Sequence, residues 1–107
     1  MTDVQQSFDR VYPVPPNTLY AAVKAALTQG PYKEAQFDEF TRSVTFRSKG
    51  GAIGYLLRWQ GQVLEDGGGS RLHLTGGAYA SDAYPAFAVR RSNELFTDVS
   101  KRCAAMV

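Results

Sequence analysis

Residues 50–77, GGAIGYLLRWQGQVLEDGGGSRLHLTGG, contain the pattern that decides the fold. Ile53, Tyr55, Leu57, Trp59 and Val63 take alternate positions, with Arg58, Gln60 and Gln62 between them. Side chains alternate between the two faces of a strand, so this reads as one long half-buried strand over roughly 53–63, with Gly61 as a bulge or a point of close approach. EDGGGS then supplies the positive backbone angles of a tight turn, and RLHLT returns with Leu72 and Leu74 inward. The expectation is an antiparallel hairpin with an apolar inner face and an arginine-bearing outer one.

Working outward, SVTFRS continues the alternation through Val44 and Phe46, and Ala35 and Phe37 alternate between Tyr32 and the polar turn DEFTR. Two short strands are predicted there. The N-terminal stretch 4–14, VQQSFDRVYPV, holds Phe8, Val11, Tyr12 and Val14 and ends at prolines, which cannot donate to a continuing ladder, so it reads as the first strand. Pro15 and Pro16 suit the first turn of a helix, and Leu19, Val23, Ala26 and Leu27 then recur at helical spacing, predicting a helix over 15–28. At the other end Ala88, Ser92, Leu95, Phe96, Val99, Cys103 and Met106 form an apolar stripe on a long helix over roughly 82–105. Asp82 is its candidate cap, Pro85 sits in its first turn, and Arg90, Arg91, Glu94, Asp98, Lys101 and Arg102 lie mainly on the other side.

The predicted order is strand, helix, four strands, helix: an α+β fold with one antiparallel sheet of about five strands and both helices packed on one face. Residues 1–107 form one domain, with no repeat or linker dividing the chain. The composition is 44% hydrophobic and 21% charged, which builds a packed interior and excludes a disordered chain. A net charge of +2 is too mild to name a polyanionic partner by itself, so the placement of the arginines matters more than their number.

The element order and the proline-started first helix, YPVPPNTLYAAVKAAL, carry two resemblances at the level of fold. The chain is similar to small bacterial β-α-β(4)-α domains of the TATA-binding-protein-like type, and it looks like a reduced helix-grip domain of the START and polyketide-cyclase kind. A full helix-grip domain has more strands and normally another helix before them, so no roomy enclosed cavity is expected in this shorter chain. Neither resemblance supplies a residue motif that carries a site across.

Chemistry is sparse. Zinc binding needs several converging His, Cys, Asp or Glu ligands, and the chain offers one histidine, His73, and one cysteine, Cys103, so no metal and no cofactor is expected. Cys103 falls on the apolar stripe of the last helix, where a free thiol serves as a small hydrophobe. It has no intramolecular disulfide partner, which suits a reducing compartment. His73 falls out of phase with Leu72 and Leu74, hence on the outer face, with no partner identifiable. The glycines match neither a P-loop nor a dinucleotide fingerprint. The opening MTDVQQSFDR has no apolar signal core and no stretch has the apolar length of a membrane span, so a cytoplasmic protein is expected, and arginine outnumbering lysine fits a GC-rich bacterial source.

These readings point to a non-enzymatic binding or interaction module rather than an enzyme. Leu56 and Leu64 fall on the outer parity beside Arg58, Gln60 and Gln62, a candidate surface for a homodimer. Phe46, Tyr55, Trp59, Leu95 and Phe96 are the candidate lining of a site for a small apolar ligand between the last helix and the sheet. Arg47, Arg58, Arg71 and His73 make the outer face positive, a candidate polyanion surface; nucleic acid is not the expected partner, because no stacking aromatics are placed there.

Overall fold

Alternation on the strands and three-and-four spacing on the helices produce the expected order of elements in a computed structural model, which describes residues 3–48, 57–79 and 84–106. They are β1 (Asp3–Tyr12), α1 (Pro16–Gln29), β2 (Lys33–Asp38), β3 (Ser43–Ser48), β4 (Leu57–Asp66), β5 (Gly69–Tyr79) and α2 (Tyr84–Met106). The strands form one antiparallel sheet in the order β1-β5-β4-β3-β2. Four consecutive strands pair as neighbours, and β1 closes onto β5, so the first and fifth strands meet across most of the sequence.

Both helices pack on one face of this sheet, α2 against α1, β1 and β5, and α1 against β2, β4 and β5. The inner face is set by parity. It presents Phe8, Arg10 and Tyr12 from β1, Leu72, Leu74 and Gly76 from β5, Leu57, Trp59, Gly61 and Val63 from β4, and Val44, Phe46 and Ser48 from β3. Pro15 keeps an extended backbone and Pro16 opens α1, where a missing N–H costs nothing. Leu19, Tyr20, Ala22, Val23, Ala26 and Leu27 are the buried stripe of α1.

Gly61 is a close approach rather than a bulge: the β3–β4 register runs through it unbroken, and a Cβ there would lie 2.9 Å from Val44 Cγ2 and 3.1 Å from Leu74 Cδ2. The irregularity lies instead in β2, where the register shifts between Lys33 and Gln36 and Glu34 adopts φ of 55°. Of the three glycines in the β4–β5 turn only Gly67 has positive φ, at 59°. The stripe of α2 is buried from Ala88 to Cys103, but Met106, expected on it, is exposed at the last residue of the helix. Ile53, Tyr55, Leu56 and Asp82 lie outside the described residues.

Candidate functional site

The inner face divides into two regions. Under α1, Val44, Val63, Leu72 and Leu74 make an aliphatic layer, and its polar groups are satisfied: Ser70 Oγ donates to the Val14 carbonyl at 2.8 Å, and Tyr12 Oη donates to the Phe96 carbonyl at 3.0 Å. Further along the same strands the layer turns aromatic. Gly76 leaves room for the Trp59 ring to lie against the backbone of β5, since a Cβ at 76 would sit 2.5 Å from Trp59 Cζ3. Trp59 stacks with Phe46 at a centroid separation of 6.1 Å and an interplanar angle of 12°, and Phe8 meets it from the other side at 6.0 Å. Tyr32 closes the row with an edge-on contact to Phe46 at 5.4 Å.

Polar atoms stand among these rings. Trp59 Nε1 donates to Ser48 Oγ at 2.7 Å, which satisfies both in a buried setting. Gln6 is opposite Gly76 in the β1–β5 register, and its Oε1 is shut off from solvent with no hydrogen-bond partner. Leaving a buried acceptor unpaired costs on the order of 1–3 kcal/mol. Burial pushes the Tyr32 hydroxyl up to about 12, and the nearby carboxylates of Asp98 and Glu94 add to the rise while Arg91 opposes it. Asp98 and Glu94 also line an open groove of about 750 Å³ along α2, together with Val89, Asn93 and Lys101. Tyr32 thus touches the aromatic row through Phe46 and lies within electrostatic reach of two carboxylates of the groove.

Of the five residues expected to line a ligand site, Phe46 and Trp59 meet directly. Phe96 is buried in the same core. It packs on β1, with the Arg10 guanidinium 4.9 Å from its ring centroid. Leu95 is buried in the core and Tyr55 falls outside the described residues. Gln6, Phe8, Tyr32 and Ser48 were missed. The alternation of Phe8 and Tyr12 along β1 carried enough signal to put Gln6 and Arg10 on the inner face, whereas nothing local pointed to Ser48.

On the outer face Arg58, Gln60, Gln62 and Leu64 alternate outward along β4 as expected. The register sets Lys33, Arg47 and Arg58 side by side across three strands. Arg47 Nε lies 2.7 Å from Glu34 Oε2, and Arg71 Nη2 lies 2.6 Å from Asp66 Oδ2; with the Asp9 partner of His73, carboxylates accompany three of the four residues of the candidate polyanion surface. His73, expected without a partner, has one: Nδ1 is 2.8 Å from Asp9 Oδ1, and Nε2 is 3.3 Å from Thr75 Oγ1. Asp9 comes from the far end of the chain, where no local spacing announces it. A nucleophilic triad works in a water-excluded cleft with oxyanion donors. The His73 and Asp9 side chains are instead 38% and 43% exposed on an open pleated surface. Leu64 is half-exposed, and Val11, which sequence reasoning did not place outward, is 57% exposed on the other side of Arg71. Leu56 lies outside the described residues.

Cys103 is buried in the apolar stripe, and burial pushes its thiol up, as suits a packing role. Among the described residues no three His, Cys, Asp or Glu side chains gather to hold a metal ion, and no helix is long and apolar enough to cross a membrane.

No protein-family model matches the sequence, and no curated protein matches it. Solved structures do match its architecture. The crystal structure of Ara h 8.0201 superposes with a TM-score of 0.66 at 13% identity, covering 97% of this chain and 99% of that one. The fold is of the helix-grip kind. TTHA0849 from Thermus thermophilus superposes with a TM-score of 0.58 at 14% identity, covering 96% of this chain and 99% of its own. Of the two resemblances in the element order, these neighbours support the helix-grip one. At such identities the likeness extends to the fold and to no residue's role.

Proposed function

We propose that the protein is a non-enzymatic binding module that takes a small, mainly apolar ligand between α2 and the inner face of the helix-grip sheet. The observation that carries this reading is the row Phe8, Trp59, Phe46 and Tyr32, in which four aromatic rings line one end of a face that is otherwise aliphatic. Aromatic faces receive flat ligands with little reorganisation, and small-molecule sites combine such surfaces with a few polar groups. Trp59 is the sole tryptophan and lies in the row, so its fluorescence reports occupancy directly. Titration with a panel of apolar ring compounds is expected to shift or quench its emission in a saturable way; an unchanged spectrum across the panel overturns the proposal.

A second reading concerns the outer face. Leu64 and Val11 project on either side of Arg71, an apolar pair in a polar surround of the kind found at subunit interfaces. We propose that this face pairs two copies of the chain. Light scattering over a dilution series is expected to give the mass of two chains falling to one, with Leu64→Lys shifting the balance to the monomer. A single-chain mass at every concentration removes the reading.

A further inference from the structure

Gln6 is the feature of the inner face that packing alone leaves unexplained. Ser48, Ser70, Ser92 and Tyr12 are buried polar side chains on or near the same core, and each has its hydrogen bond, to Trp59 Nε1, the Val14 carbonyl, the Val89 carbonyl and the Phe96 carbonyl respectively. Gln6 Oε1 alone among the described buried side-chain atoms has none. Its place in the register is opposite Gly76, the residue against which Trp59 lies, so the orphan acceptor stands at the edge of the aromatic row. A buried acceptor without a partner is retained where something else supplies the donor.

We infer that Gln6 is the polar anchor of the ligand site and that the ligand is a neutral, flat ring compound carrying one hydroxyl or N–H group, which it donates to Gln6 Oε1 while its rings lie along Trp59 and Phe46. This rests on the reading above that the aromatic row receives a ligand. The chemistry follows from the atoms. The unpaired atom is an acceptor, so the group that completes it must be a donor, which a carboxylate lacks. The cation nearest along β1 is Arg10, whose guanidinium lies over Phe96 instead of in the row. Trp59 Nε1 and Ser48 Oγ already satisfy each other, which leaves Gln6 to discriminate. A site with a buried group awaiting a hydrogen bond rejects the analogue that lacks the matching group far more strongly than an apolar wall rejects an extra atom.

The test is calorimetric titration of the unmodified protein with three probes of one size: 2-naphthol, which carries a donor; 2-methoxynaphthalene, which does not; and 2-naphthoate, which is an anion. The expected result is 2-naphthol binding about tenfold more tightly than 2-methoxynaphthalene, as one buried hydrogen bond predicts, with 2-naphthoate weakest. Gln6→Met keeps the length of the side chain and removes the acceptor, and is expected to bring the two neutral probes to within about twofold of each other. Equal affinities in the unmodified protein, a naphthol preference that survives Gln6→Met, or tightest binding by 2-naphthoate would each overturn the anchor while leaving the site standing. Binding by none of the three removes the anchor and the ligand site together.

Discussion

The two ends of the sheet's inner face are built from the same strands by the same alternation, yet they solve different problems. At the end beneath α1, glycine is used to tighten: Gly61 leaves the space that Val44 and Leu74 fill, Leu72 and Leu74 are fully buried, and Ser70 and Tyr12 each have a partner. At the other end, glycine is used to lay a ring flat: Gly76 seats Trp59, three further aromatic side chains extend the row, and Gln6 Oε1 is left unpaired. On the proposed reading, stability is concentrated in the first region and ligand recognition in the second. Natural folds commonly accept such a local cost where a surface must bind.

The largest effect that tests this division is at Leu72. Leu72→Ala removes a fully buried side chain from the aliphatic layer and is expected to cost about 2–5 kcal/mol in denaturant unfolding. In protein that remains folded, the relative affinities of the three naphthalene probes are expected to stay as they were. A changed order of probe affinities would show that the two ends are one unit.

Glycine substitutions probe the same contrast at smaller size. Both Gly61→Ala and Gly76→Ala add a methyl group to a filled space, and each is expected to lose roughly 1–3 kcal/mol. They differ in what must move. The added Cβ at 76 meets Trp59 and displaces its ring, whereas that at 61 meets Val44 and Leu74. Gly76→Ala is therefore expected to change Trp59 emission and weaken probe binding, and Gly61→Ala to do neither. If the two variants behaved alike, the special use of Gly76 would be lost.

Alkaline pH separates the regions through Tyr32. Its folded-state pKa of about 12 lies above the unfolded value of 10.0 because burial, then Asp98 and Glu94, penalise the phenolate. A raised pKa means that the folded chain holds the proton while the unfolded chain releases it, so this contribution is complete below pH 10 and is lost as pH rises from 10 towards 12. Because Tyr32 is only partly buried and solvent screens the charge, the loss is about 1 kcal/mol over that window. Tyr12 is also raised, chiefly by burial, so part of the alkaline slope belongs to it. Unfolding free energies measured on either side of pH 10 should show a shallower slope for Tyr32→Phe; an identical slope would mean that Tyr32 is not desolvated as the row requires.

The architecture was legible because its signals are local. Alternation through Leu57, Trp59 and Val63, the prolines before α1 and the stripe from Ala88 to Cys103 each declare an element within a few residues, and the order of elements along the chain followed from them. The candidate site was legible only in part, because it is made by register. Phe46 and Trp59 were found together since adjacent hairpin strands pair them. Gln6, Phe8 and Asp9 were not, since their neighbours Gly76, Leu74 and His73 lie at the far end of the sequence and meet them only when β1 closes onto β5. The ring partner of Phe96 was illegible for a related reason. The helical stripe says that Phe96 is buried, but not which strand lies beneath it.

The smallest expected effect is the most telling for the comparison. If the aromatic end gives up stability for recognition, relieving its one unmet demand should return some of it. Gln6→Met replaces a buried, unpartnered amide oxygen with a thioether of similar length that needs no hydrogen bond. The unliganded variant is expected to gain about 1 kcal/mol, the usual scale for a buried polar group left unpaired, which for a domain of this size raises Tm by roughly 4–8 °C. The same exchange at the sealed end has the opposite sign: Ser70→Ala removes the donor to the buried Val14 carbonyl and is expected to lose about 1–2 kcal/mol. Calorimetric melting of both variants without ligand decides the matter. A Gln6→Met protein that melts at or below the parent temperature would mean that the amide contributes to packing in the free state and is not held in reserve for a ligand.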